Sequence, residues 1–380
     1  MDAEGRSPRV LILAGEASGD HHSARVLEAI RARRPEIEWV GLGGPELQGL
    51  GVDTWAGLDR LAVMGFVEVV KHLGFFRGLE KRAVAELDSG RIDLVLAVDY
   101  PGFNLRIARK ARERGIPVLF YIAPQVWAWK AHRARQLAED AARIAVILPF
   151  EPPIFEREGG NVEFVGHPLV DRAGIGDAPA ALRRDLGISP ETPILALLPG
   201  SRAQELDRHL EPFVEAAGLL CARHPDLVPV LAAAPGVDAE RFRGTGLAVT
   251  TDTRALLHAA RGAIVKSGTS TLEAAVAGVP FVMAYRTSFV TWALARRLVN
   301  VDHVALANLV AERRVVAEVL QGDVTAERLA AEVEPLLVDG SRRTEVLAGL
   351  DEVRLRLGDP GAAARVAEMA LELLDGEGSE

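Results

Sequence analysis

The chain has 380 residues, a formal net charge of −9 and 49% hydrophobic residues, which excludes a disordered chain and argues against general nucleic-acid binding. Its length exceeds the usual span of one hydrophobic core, so two domains are expected. Cys221 is the only cysteine, which excludes an intrachain disulfide or a cysteine-based metal site; residues 1–8 lack a signal peptide's apolar core and no apolar run approaches a membrane span, so a soluble, cytoplasmic chain is expected.

Residues 9–14 read as a buried strand ending at Gly15. The stretch Gly15-Glu16-Ala17-Ser18-Gly19-Asp20 then turns the chain into a helical pattern over residues 21–34, and a second strand over 39–42 ends in Gly43-Gly44. Strand, glycine turn, helix, strand is the signature of a parallel sheet with helices on its faces, and ligands gather at the carboxyl ends of such strands. Neither turn has the G-x-G-x-x-G spacing of a dinucleotide fingerprint, and tight turns alone explain many such glycines.

Over residues 61–82, Phe66, Val69, Val70, Leu73 and Phe76 share one helical face, with Glu68, Lys71 and His72 opposite and Arg77, Lys81 and Arg82 close behind. Two readings stay open: a helix packed on its own sheet, or a surface helix that dips into a bilayer or holds acyl chains while its cations meet anionic head groups. The next strand, over 93–98, delivers Asp99 at its carboxyl end. That position suits a general base above a cleft, and equally a turn or helix cap. A strand over 116–122 feeds Ala123-Pro124-Gln125-Val126-Trp127-Ala128-Trp129-Lys130, whose tryptophans offer apolar surface and N–H donors to a sugar or an acyl chain. Strands over 144–148 and 162–165 follow, the second leading to His167, which reads as a ligand contact between domains or as a structural histidine.

Residues 171–193 read as the passage to a second sheet, with strands over 194–198, 228–231, 247–249, 262–265 and 281–285 and helices between them. After the first of these strands, Pro199-Gly200-Ser201-Arg202 opens a helix carrying Glu205, and Arg202 beside free helix amides suits a diphosphate. After the fourth, Lys266-Ser267-Gly268-Thr269-Ser270-Thr271-Leu272-Glu273 again turns strand into helix. Unpaired amides at such a turn make a phosphate seat, and Glu273 is placed to accept from ribose hydroxyls. The competing explanation is local, since Ser201 with Gln204, and Ser270 with Glu273, both fit a capping box.

Gly15-Glu16-Ala17-Ser18-Gly19-Asp20, Val63-Met64-Gly65-Phe66-Val67-Glu68-Val69, Pro124-Gln125-Val126-Trp127-Ala128-Trp129, Leu198-Pro199-Gly200-Ser201-Arg202 and Ser267-Gly268-Thr269-Ser270-Thr271-Leu272-Glu273 recur together in lipid-A-disaccharide synthases, and the chain resembles that family from residue 9 to about 370. The resemblance implies an α/β, GT-B fold: two Rossmann-like doubly wound domains facing a central cleft. Residues 1–170 would form an acceptor and membrane-facing domain and 171–345 a UDP-sugar-binding domain. Residues 346–380 would be helices packed back on the first domain or exchanged in a homodimer. It implies transfer of 2,3-diacylglucosamine from its UDP derivative to 2,3-diacylglucosamine 1-phosphate (lipid X), with inversion, giving a β-1,6 disaccharide 1-phosphate and UDP.

Under this resemblance Asp99 and Arg202 match essential residues of the family, and Glu273 matches the carboxylate expected at the ribose. Some members carry a second acidic residue where this chain has Gly102, which removes one rival to Asp99 as the base. Substrate and UDP contacts are expected from Gly15, Glu16, Ser18, Gly19, Asp20, Gln125, Trp127, Trp129 and His167, and from Gly200, Ser201, Glu205, Ser267, Gly268, Thr269 and Ser270. Membrane or acyl contact is expected from Met64, Phe66, Val69, Val70, Leu73 and Phe76, giving peripheral association with the inner membrane. No cofactor, metal or nucleic-acid partner is expected. The rival readings are another GT-B transferase using UDP-GlcNAc, a UDP-GlcNAc 2-epimerase, and a non-catalytic sugar-nucleotide or lipid binder.

Overall fold

The computed structural model describes residues 6–58, 73–127, 132–172, 175–234, 236–288, 292 and 302–376. It divides into two compact units, Met1–Pro168 with Asp359–Glu380, and Leu169–Gly358.

In the first unit, strands β1 (Arg9–Ala14), β2 (Glu38–Leu42), β3 (Asp53–Thr54), β4 (Leu94–Val98), β5 (Val118–Tyr121), β6 (Arg143–Val146) and β7 (Val162–Phe164) pair in parallel. Their order across the sheet is β3-β2-β1-β4-β5-β6-β7. Successive side chains of a strand point to opposite faces, and both faces are buried along β4, β5 and β1 beyond Arg9, which is why these three are apolar throughout rather than alternating. Leu11 and Leu13 join one core with Ala83 and Leu87 of α3 (Leu73–Asp88) and Phe103 and Ile107 of α4 (Pro101–Arg112). Val10, Ile12 and Ala14 join the other with Leu27 and Ile30 of α1 (Ala17–Arg31) and with Val366, Ala370 and Leu373 of the C-terminal helix, Ala362–Asp375. Each fully buried Leu or Ile contributes roughly 1.5–3 kcal/mol.

The second unit repeats the scheme. Strands β8 (Ile194–Leu198), β9 (Val228–Ala232), β10 (Ala248–Thr250), β11 (Gly262–Lys266), β12 (Phe281–Tyr285) and β13 (Ala317–Leu320) form a parallel sheet in the order β10-β9-β8-β11-β12-β13. The strands expected over 9–14, 194–198 and 281–285 lie as expected, whereas β3 and β13 were not anticipated.

Three expectations on organisation are revised. The passage expected over 171–193 contains a helix, α5 (Ala178–Asp185), with Leu182 buried. Arg183 of that helix donates to the carbonyls of Ser189, Thr192 and Ala259 at 2.9, 2.9 and 2.8 Å, packing the segment into the second unit, where the expected 171–345 domain already placed it. The expected break after 345 falls instead after Gly358, because the helix Ser341–Arg356 packs within the second unit. The C-terminal helix then returns to α1, its Arg365 donating to Val165 O (2.9 Å), Pro360 O (3.1 Å) and Asp359 O (2.6 Å). Third, α1 starts at Ala17, so the stretch expected as a glycine turn is mostly the first turn of a helix.

Gly41 sits opposite Ile12 in the β1–β2 pairing with φ +148°, and a Cβ there would lie 1.9 Å from the Ile12 carbonyl oxygen. Gly41→Ala is therefore expected to cost at least ~2 kcal/mol, through strain and backbone overlap together. Urea unfolding followed by circular dichroism checks this; an unchanged midpoint would contradict it.

Candidate active site

In a doubly wound sheet the crevice lies where the strand order reverses, because the crossovers on either side leave to opposite faces. In the first unit that seam is β1 against β4, with Ala14 beside Val98. Gly15 and Glu16 leave the end of β1; Asp99 and Tyr100 leave the end of β4. Asp99 and Tyr100 are both left-handed, at φ 48° and 49°, which costs a residue with a side chain on the order of 1–3 kcal/mol. Three contacts hold this corner. The Asp99 amide donates to Tyr121 O at 2.9 Å. Buried Asn104 directs its side-chain amide at the carbonyls of Asp99 (2.7 Å), Leu13 (3.1 Å) and Val98 (3.3 Å), tying the ends of both strands. The Tyr100 ring lies over Gly15, where a Cβ would come within 2.3 Å of it. Gly15 is a glycine for that reason.

Asp99 is mostly withdrawn from water. Burial, and then the Glu16 carboxylate across the seam, push its carboxyl up to about 6, against a smaller opposing effect of the Tyr100 amide. Burial and Glu16 likewise push the Tyr100 phenol up to about 12. This is a base-like carboxylate beside a second acid.

Other expected residues of this unit divide. Ser18 is exposed and Gly19 buried. The buried carboxylate of Asp20 accepts from the amides of Gly44 (2.7 Å), Glu46 (3.0 Å) and Leu47 (3.3 Å), holding the start of α2 (Pro45–Gly49). His167 is buried and burial pushes it down to about 4, so it is a neutral imidazole. Gln125 is exposed. Trp127 packs edge-on against Phe150 and donates through Nε1 to Glu151 at 3.3 Å. Glu151, which sequence reasoning missed, is fully buried and pushed up to about 7 by that burial. Its only signal was its place just past a strand end. Trp129, Met64, Phe66, Val69, Val70 and the Leu73 side chain lie outside the described residues. Phe76 is half-buried against the unit's own core. No described helix is long and apolar enough to cross a membrane.

In the second unit the seam is β8 against β11, and above it lies a cavity of about 340 Å³. The turns after the two strands line it, bringing Gly200, Ser201, Arg202 and Glu205 together with Ser267, Gly268, Thr269, Ser270 and Glu273. Neither capping box forms. Helix α6 (Ala203–Arg223) starts from Arg202, and the amide of Ser201 donates to Glu205 Oε2 at 3.0 Å. Helix α7 (Ser270–Val276) starts from Thr269, whose carbonyl takes the Glu273 amide at 3.0 Å. Gly200, at φ 128°, has no room for a Cβ, which would lie 2.6 Å from that of Glu205.

Lys266, the last residue of β11, also lines the cavity and donates to Glu205 Oε1 at 2.7 Å. It stood inside the recognised stretch, yet spacing gave no sign that it meets a carboxylate 61 positions away. Burial raises the Glu205 carboxyl, but the Lys266 ammonium, the Ser201 amide and the Arg202 charge together hold it below the usual range. Buried His209 accepts the Arg286 amide at Nε2 (2.9 Å), so Nδ1 carries the proton and donates to Glu205 O (2.7 Å). A neighbouring cavity of about 280 Å³ shares Thr253 and Glu273 with the first.

Among solved structures, the chain is similar to the glycotransferase of kitacinnamycin, with TM-score 0.66 and 18% identity, covering 97% of this chain and 100% of that one. It is also similar to the UDP-GlcNAc 2-epimerase of Neisseria meningitidis bound to UDP-GlcNAc, with TM-score 0.60 and 11% identity over 97% and 100%. At these identities the likeness concerns fold alone, and that fold is the GT-B arrangement of two parallel α/β domains. The sequence model of the family described as lipid-A-disaccharide synthetase matches residues 10–362. Lipid-A-disaccharide synthases of Myxococcus xanthus (41% identity, 97% of this chain and 98% of the relative) and Geobacter sulfurreducens (38%, 98% and 98%) align over nearly their whole length. The chain belongs to the lipid-A-disaccharide synthase family of glycosyltransferases.

The raised Asp99 carboxyl has a consequence for stability. Between the unfolded value of 3.8 and about 6, the folded chain holds a proton that the unfolded chain has released, so stability falls as pH rises through that window. Above it the penalty is constant, on the order of 3 kcal/mol at most. Asp99→Asn is expected to raise the urea midpoint at about pH 7.5, with the gain vanishing by about pH 4. A midpoint lowered at both pH values would contradict this.

Proposed function

We propose that the chain transfers a 2,3-diacylglucosaminyl group from its UDP derivative to the 6-hydroxyl of 2,3-diacylglucosamine 1-phosphate, with inversion, releasing UDP. The observation that carries this reading is the cavity at the second seam, where two strand-to-helix turns bring Arg202 and Lys266 above the strand ends while Glu273 borders an adjoining space. The diphosphate would lie against Arg202, Lys266 and the Ser267–Ser270 turn, and the uridine would reach past Glu273 toward Thr253. Glu273 then accepts from ribose hydroxyls.

The first seam supports the acceptor half. Asp99 accepts the proton of the attacking hydroxyl as the new C–O bond forms and the bond from C1 to the diphosphate breaks. Its elevated pKa is suited to the task, because a stronger base takes the proton more readily and is still ionised near neutrality. Negative charge that develops on the departing diphosphate is met by the cations of the second seam, fixed in place beforehand. Trp127, steadied by Glu151 and Phe150, offers an apolar wall at the same edge of the first sheet. Association with the inner-membrane surface belongs to the same reading, since both substrates carry acyl chains.

Purified protein in detergent with the two acylated substrates should yield a diacylglucosamine disaccharide phosphate and UDP, followed by mass spectrometry. Asp99→Asn should lower kcat by roughly 100-fold or more, the usual worth of general-base catalysis. Activity of the unsubstituted enzyme should rise with pH through about 6, and Glu16→Gln should shift that limb to lower pH by removing a neighbouring negative charge. Near-normal turnover by Asp99→Asn, or turnover of UDP-GlcNAc alone, would overturn the reading.

A further inference from the structure

Arg202 is the cation that sequence points to, but its side chain is 59% exposed, whereas that of Lys266 is 17% exposed. A charge at the rim is screened by water and salt, while a charge withdrawn from solvent acts on a bound anion at a lower effective dielectric. Lys266 is therefore the cation of this cavity that is less screened by water. Its ammonium lies over the Tyr285 ring, 6.0 Å from the centroid, and 3.7 Å from where a Cβ of Gly268 would be, so it lies against the Ser267–Ser270 turn. One of its three N–H groups is directed at Glu205.

Glu205 is not suited to touch a diphosphate, since two anions would then share a site. It is suited to hold what does. One carboxylate oxygen takes Lys266, the other takes the Ser201 amide, and the Glu205 carbonyl is fixed by His209, which also fixes Arg286. A largely buried ion pair contributes little to stability once desolvation is counted, so its value lies in geometry.

We propose that Lys266 is a catalytic cation of this site, contacting the diphosphate as it departs, and that Glu205 is the residue that positions it. This rests on the second seam being the UDP site. The contact becomes stronger as the leaving group gains charge, so it serves the transition state more than the ground state.

The test compares UDP, measured by calorimetry, with uridine, measured by saturation-transfer NMR, on the full chain. Lys266→Met should weaken UDP binding roughly 10- to 100-fold, the worth of a charge-assisted hydrogen bond, and leave uridine binding unchanged. Lys266→Arg should recover part of the loss, and Glu205→Gln should weaken UDP but not uridine. A collapsed pocket would lose both ligands alike, so the contrast separates a contact from a structural role. If Lys266→Met does not fold, Lys266→Gln takes its place. UDP affinity within about twofold of the unsubstituted protein, or equal losses of UDP and uridine, overturns the proposal. An unsubstituted protein that binds neither ligand overturns the site reading, and this proposal with it.

Discussion

Where β1 pairs with β4, the two strands run parallel in register while the helices that follow them, α1 and α4, pack into different cores on opposite faces. A gap must open above the carboxyl ends of such a pair. The same reversal occurs at β8 and β11. Most of the candidate chemistry of this chain hangs from these four strand ends. The apolar strands are fixed by burial on both faces, and the residues just past their ends are the first that are free to be polar.

The two seams differ in character. At the first, Asp99 sits near Glu16 on a backbone corner that is itself strained and held by Asn104 and the packing of Tyr100 on Gly15. At the second, Arg202 and Lys266 are arranged around one carboxylate, Glu205, that also secures the adjoining turn. A folded protein retains a strained corner with a largely desolvated acid only if the surroundings over-determine it. Here they do so with hydrogen bonds to three strand ends. The proposed division of labour follows from charge: the acidic seam suits removal of a proton, and the cationic seam suits departure of an anion.

Much of this was legible in the sequence, for a physical reason. Doubly buried strands leave uninterrupted apolar runs, so their ends, and therefore Asp99, Arg202 and the Ser267–Glu273 turn, fall at predictable places. What escaped was partnership at a distance. Asp20 reads as part of a ligand turn, but it serves amides 24 to 27 positions on. Both capping boxes matched in spacing and neither formed, because the first helix starts one residue later than the Ser201–Gln204 pair requires, from Arg202, and the second starts from Thr269, whose carbonyl takes the Glu273 amide. Lys266 and Glu151 each sat at or just past a strand end, but nothing local named their partners, since each meets a neighbour on another element.

The claim that the two seams do different work is tested most directly by the affinity of UDP for Asp99→Asn and Arg202→Ala, measured by calorimetry on the full chain. The expected result is UDP binding by Asp99→Asn within about twofold of the unsubstituted protein, with a loss of roughly tenfold or more in Arg202→Ala. Equal weakening by both substitutions would contradict the division, and would make Asp99 part of the nucleotide site.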